Sequence, residues 1–166
     1  MTAAARDGGP PQLSLGGGVE AVFHLEGAAT QDRLSVVEHP MAPGSLIEPH
    51  THSQEDEYSF VLEGTLGMLL GDREFEATQG TLVAKPRNVR HAAWNAGPAP
   101  ARFLEIMSPG GFERFFPEVA SLFSGPTEPG PEELQRSAER YGLTFHIGMV
   151  NDLIDRHGLA AAVRYE

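Results

Sequence analysis

Gly44-Ser-Leu-Ile-Glu-Pro-His50-Thr-His52-Ser-Gln-Glu-Asp-Glu57-Tyr-Ser-Phe-Val-Leu-Glu-Gly64 carries two histidines one residue apart and a glutamate five positions after the second. In a β-strand, residues i and i+2 point to the same face and rise ~3.3 Å per residue, so His50 and His52 can reach one ion. Glu57 is an odd number of residues from both, and an unbroken strand would turn it to the opposite face. The polar run Ser53-Gln54-Glu55-Asp56 interrupts the strand and can reset that parity. A second Gly/Pro-marked stretch supplies His91. Three imidazoles and a carboxylate suit a borderline divalent metal better than calcium or magnesium. Taken singly, each of these residues is more simply a solvated side chain, and Glu57 beside Glu55 and Asp56 is one of three adjacent acids.

The two stretches together resemble the paired motifs of the cupin family. The first family pattern, G-x5-H-x-H-x3–4-E-x6-G, is met from Gly44 through His50, His52 and Glu57 to Gly64. The second, G-x5-P-x-G-x2-H-x3-N, is met by Gly80, Pro86, His91 and Asn95, with Asn88 where the family has its inner glycine. Asparagine is the non-glycine residue that best tolerates a left-handed turn, so the departure leaves the turn intact. The resemblance covers roughly residues 35–108. It implies a mainly β fold, the cupin double-stranded β-helix or jelly-roll barrel. It also implies one divalent transition metal per chain (Fe, Mn, Ni, Cu or Zn) held by His50, His52, Glu57 and His91.

Composition agrees with one domain, because 166 residues can bury a core without disulfide staples. The chain has no cysteine, which removes thiolate ligands, catalytic thiols and disulfides together. A formal charge of −11 argues against a nucleic-acid partner, since phosphate contacts need clustered Lys and Arg. Residues 1–18 lack the apolar core of a signal peptide, and no apolar run is long enough to span a bilayer. The expectation is therefore a cytoplasmic protein with a small-molecule substrate and no membrane partner.

Three regions follow along the chain. Residues 1–18, rich in Ala, Gly and Pro, read as a flexible lead-in. Residues 19–108 read as the barrel, with strands at Val19–Leu25, Leu34–Glu38, Leu46–His52, Glu57–Leu62, Thr65–Leu70, Arg73–Ala77, Thr81–Lys85, Ala92–Asn95 and Arg102–Met107. Gly71-Asp72 is a hairpin signal, and no internal repeat marks a second barrel. Residues 109–166 read as a helical C-terminal extension packed on the barrel. Phe112, Phe115, Phe116, Val119, Leu122 and Phe123 recur at helical spacing around Pro117, a pattern of packing and not of a cofactor box. Further helices are expected from Pro131 to Tyr141, stopped by Gly142, and over Met149–His157, stopped by Gly158.

The Glu57–Gly64 strand and the Gly110-Gly111-Phe112-Glu113 start of the tail are similar to single-domain quercetin-dioxygenase-like cupins of bacteria. That resemblance implies a metal-dependent dioxygenase acting on a small aromatic or polyphenolic substrate, with Glu57 as a ligand that is either a catalytic proton acceptor as well or a ligand alone. Two other classes stay open: a sensor or binding cupin without turnover, and a non-redox isomerase or lyase. Among the remaining residues, Glu48 shares strand parity with His50 and His52 and is either a partner of the ligands or an edge acid. Asn95 is expected to tie down backbone, and Phe103, Met107 and Met68 to line the cavity or fill the core. His24, His39, His146 and His157 fall in no ligand spacing and read as surface or satisfied core histidines. Finally, apolar residues stand on both faces of the strands at 57–62 and 65–70. A sheet with one wet face should alternate, so a homodimer built through the sheet is expected to cover the outer side.

Overall fold

The computed structural model describes residues 9–165. Short apolar runs between Gly- and Pro-marked turns form strands β1 (Gln12–Ser14), β2 (Glu20–Leu25), β3 (Ser35–Met41), β4 (Leu46–His52), β5 (Asp56–Glu63) and β6 (Thr65–Leu70). They continue as β7 (Arg73–Thr78), β8 (Leu82–Lys85), β9 (His91–Trp94) and β10 (Ala101–Ser108). The tail adds α1 (Phe116–Phe123), α2 (Pro131–Glu139), β11 (Leu143–Phe145) and α3 (Val150–His157). The strands make two antiparallel sheets, ordered β1-β2-β3-β10-β5-β8 and β11-β4-β9-β6-β7. The mainly β jelly roll with C-terminal helices expected from the motifs is thus the fold that forms.

Period-two alternation sets the inner face. In β3, Ser35, Val37, His39 and Met41 are buried while the residues between them are half-exposed. Val61, Leu66, Met68, Ala93 and Phe103 join Met41 in one inner cluster, and Val37 packs with Met107, Phe112 and Phe115 in another. Met68 and Met107 fill this interior away from the cavity, whereas Phe103 reaches the cavity wall. The motif glycine Gly44 has a positive φ of 79°, and a Cβ there would lie 2.9 Å from the Ala160 backbone nitrogen. A side chain would therefore push the tail away from the barrel.

The structure differs from the expected boundaries in three places. Within the expected lead-in, residues 1–8 lie outside the described residues, but Gln12–Ser14 are not a free segment: they pair with β2 as an edge strand. The tail is not purely helical, because β11 pairs with β4 and extends the second sheet. The Phe112–Phe115 segment is a 3-10 turn, and Pro117 stands in the first turn of α1, where its missing N–H costs no helical bond. The Phe stripe packs as expected, yet Phe112, Phe115, Phe116 and Phe123 also border the central cavity.

Candidate metal centre

The parity problem posed by Glu57 is solved by changing sheets. β4 ends at His52, the chain turns through Ser53–Glu55, and β5 begins in the opposite sheet with Glu57 facing inward. His91 opens β9 and stands directly across from His50 in the β4–β9 pair. The turn before it needs the left-handed residue read from the motif: Asn88 has φ 62°, and its N–H donates to the His52 carbonyl at 2.7 Å. Asn95 also does what was expected, its amide donating to the Met41 and Ala99 carbonyls and accepting from the Gly97 N–H.

One atom from each of His50, His52, Glu57 and His91 lies within 4.8 Å of the others, and all four residues are buried. Ligands at ~2.1 Å from one ion stand roughly 3 Å apart when adjacent, the scale seen here. His91 Nε2 is 2.9 Å and His52 Nε2 3.2 Å from the Glu57 carboxylate. Although close to these oxygens, both nitrogens lack a hydrogen bond of acceptable geometry. Buried nitrogens are rarely left so, and a shared cation is what would satisfy both.

The outward nitrogens fix the tautomers. His50 Nδ1 donates to the Glu48 carbonyl at 2.6 Å and His91 Nδ1 to the Val89 carbonyl at 3.0 Å. A carbonyl only accepts, so each proton sits on Nδ1 and each Nε2 lone pair faces the centre. His52 Nδ1 lies 3.3 Å from the buried Glu55 carboxylate. Burial opposes charge on His52, but Glu57 and Glu55 outweigh it and hold its pKa up at about 9. Metal binding would therefore displace a proton.

Two residues that the motifs do not mark complete the charge balance. Lys85 faces Glu57 across the β5–β8 pair, with Nζ 3.0 Å from the Glu57 carboxylate, and it also pairs with Glu105. Ser59 donates to the same Glu105 carboxylate at 3.0 Å. Burial works against Glu57 ionising, yet His52 and Lys85 hold it well below the usual carboxylate range. Burial and the Glu57 charge push Glu105 up to about 7. With the His52 proton displaced, a charged Glu57 and three neutral imidazoles give a donor set that suits a divalent transition ion.

Glu48 departs from its expected place. The β4–β9 register shifts between Ile47 and His50, so the parity argument fails there. The Glu48 side chain pairs with the Tyr165 hydroxyl of the tail at 3.2 Å, and only its carbonyl serves the ligands. His24, His146 and His157 bond to Glu38, Thr51 and Glu74, in keeping with the bland reading.

The centre opens on a cavity of about 100 Å³. Its walls are largely apolar and include Phe103, Phe112, Phe115, Phe116, Phe123 and Phe145. Phe112 stands edge-on to His52 at 4.3 Å and Phe145 at 6.2 Å from His50, so rings of the tail pack against two of the ligand candidates.

Residues 37–107 match the cupin domain. The chain is 33% identical over 105 residues to germin-like protein subfamily 2 member 1 of Arabidopsis thaliana, covering 58% of this chain and 46% of that one. It is 29% identical over 100 residues to the tetracenomycin polyketide synthase protein TcmJ of Streptomyces glaucescens, covering 60% and 66%. The chain thus spans between about half and two thirds of the length of these curated relatives. Its fold is similar to that of a predicted oxalate decarboxylase from Thermotoga maritima, with TM-score 0.57, 20% identity, and 66% and 99% of the two chains covered. The sequence match is thus to the cupin domain over residues 37–107, and the structural likeness is one of fold. No helix among the described residues is long and apolar enough to cross a membrane.

Proposed function

We propose that this barrel of the cupin superfamily is a metal-dependent dioxygenase acting on a small aromatic substrate. The observation that carries the reading is the His50–His52–Glu57–His91 cluster opening directly onto an aromatic-walled cavity. A divalent transition ion held there would supply Lewis acidity and, where redox-active, electron exchange with dioxygen. Four protein ligands leave room on a five- or six-coordinate ion, which suits catalysis better than a closed structural site. The Phe112 and Phe145 rings place apolar surface beside the ligands, and Lys85 orients the Glu57 carboxylate. Glu57 serves as ligand and, in its second role, as proton acceptor.

Size narrows the substrate. An apolar cavity of ~150 Å³ accommodates benzene, so about 100 Å³ sets one ring as the upper limit, and a multi-ring flavonol would need the tail to yield. A small phenol or catechol is thus preferred to quercetin itself. A second reading, non-redox isomerase or lyase chemistry with the metal as Lewis acid alone, is favoured by the likeness to a cupin-superfamily sugar phosphate isomerase from Silicibacter pomeroyi, at 26% identity and TM-score 0.51.

Elemental analysis of the purified protein, paired with oxygen uptake against catechol-type and flavonol substrates, separates the two. Iron, manganese, nickel or copper with oxygen consumption is the expected result. Zinc without oxygen consumption would turn the assignment to the second reading, and a protein that binds no metal would end both.

A further inference from the structure

His39 lies on β3, outside both motifs, yet it is 4% exposed and borders the same cavity. Its Nδ1 is 2.8 Å from the Glu20 carbonyl. Because a carbonyl cannot donate, that contact puts the proton on Nδ1 and leaves Nε2 as an acceptor. Nε2 makes no hydrogen bond to any described residue, but it is not sealed in protein as the orphaned ligand nitrogens are. His39 lines the cavity, and with Nδ1 held by the Glu20 carbonyl it is the Nε2 edge of the ring that is left to face it. Two rings lock this orientation: Phe103 at 5.3 Å and Phe116 edge-on at 5.2 Å. Burial pushes the imidazole pKa down to about 4, so the ring stays neutral over the physiological range.

A fixed, neutral, acceptor-only nitrogen on an aromatic wall selects a donor. Lys85 and Glu57 line the cavity together with His39, and the phenylalanines supply apolar walls that suit a ring. We propose that His39 Nε2 accepts a hydrogen bond from a ring hydroxyl of the substrate, so that the cavity selects phenols over hydrocarbons of the same shape. This deepens the aromatic-substrate reading and rests on it, but it requires neither the metal nor oxygen chemistry.

The test uses the metal-free full chain with phenol and benzene as probes. Affinities would be measured by NMR titration, with the histidine ring nitrogens labelled with 15N. Phenol should bind on the order of tenfold more tightly than benzene, the scale of one buried hydrogen bond. The His39 Nε2 resonance should shift with phenol and stay in place with benzene. His39→Asn keeps a side-chain donor for the Glu20 carbonyl and removes the Nε2 acceptor, so the preference should fall toward one. Should that variant not fold, the nitrogen shift in the unmodified chain decides by itself. Equal affinity for the two probes, a preference that survives His39→Asn, or an unmoved Nε2 resonance overturns the role of His39 alone. Failure of both probes to bind overturns the aromatic cavity reading with it, while oxygen uptake and metal content test the metal centre separately.

Discussion

Lys85 holds two carboxylates together in the barrel interior, and its removal should be felt before any chemistry is assayed. It is 4% exposed and its ammonium is shared by Glu57 and Glu105. Removing one partner of a buried pair typically costs ~3–5 kcal/mol because the other charge is left unpaired. Lys85→Met should therefore lower the melting temperature of the metal-free protein sharply, and added zinc should restore much of the loss by supplying positive charge at Glu57. A metal-free variant that melts like the parent would show that the pair contributes nothing. For the ligands, Ala at His50, His52 or His91 should each strip metal, and full stoichiometric metal in all three variants by elemental analysis would dismiss the centre. Glu57→Gln should keep metal but lower turnover on the order of 10²–10⁴-fold if the carboxylate moves a proton. Unchanged turnover in the loaded variant would leave Glu57 a ligand only. The four ligand candidates were legible because motif spacing alone brings them to notice. Lys85, Glu105 and His39 were not, since their places depend on cross-strand register and on β3 running past Glu38 to Met41.

Elements with their own pattern were legible, and those that borrow stability from neighbours were not. β4 and β6 span the expected residues, and the other expected barrel strands differ by one residue at one or both ends, save β3, which runs three residues further. β1 and β11, three residues each, carry too little alternation to be read and exist because β2 and β4 offer open edges. The bulge in β4 was equally hidden, which is why Glu48 was misplaced. The start of the tail depends on Glu113, which is buried and accepts from the Gly27 N–H at 2.8 Å and the Gly111 N–H at 2.7 Å. Burial opposes its ionisation, but these bonds outweigh it and lower its pKa. Glu113→Gln should cost about 1.5–3 kcal/mol at neutral pH, the range for a hydrogen bond to a charged group. A depressed carboxylate stabilises the fold above its unfolded value of 4.5 and loses that contribution as pH falls through the folded value. Urea melts should accordingly show a full gap between the two proteins above pH 4.5, closing below it. A gap independent of pH would assign the effect to packing instead of charge.

At the scale of the whole molecule, the two outer sheet faces fare differently. The tail covers the five-stranded sheet: Leu69, Ala92 and Trp94 pack with Leu134, Val150, Leu153 and Ile154. This removes one half of the reason for expecting a second subunit. The other half stands on the six-stranded sheet, where Tyr58 and Phe60 are each 36% exposed and Leu82 is 60% exposed. Phe60 and Leu82 face each other across the β5–β8 pair, and β8 is the edge strand of its sheet. An apolar patch beside an open edge invites pairing, and a two-fold axis through it would bury both copies of the patch at once. A homodimer formed on this face is the expected state. Charge works against it: each chain carries −11, so like-charge repulsion should loosen the pair at low ionic strength and added salt should tighten it. Light scattering at micromolar concentration should give twice the chain mass at physiological salt. The double variant Phe60→Glu, Leu82→Glu should give a single-chain mass with the barrel still folded. A parent protein of single-chain mass at every salt concentration would leave this patch bare, with the tail as the only cover the sheets acquire.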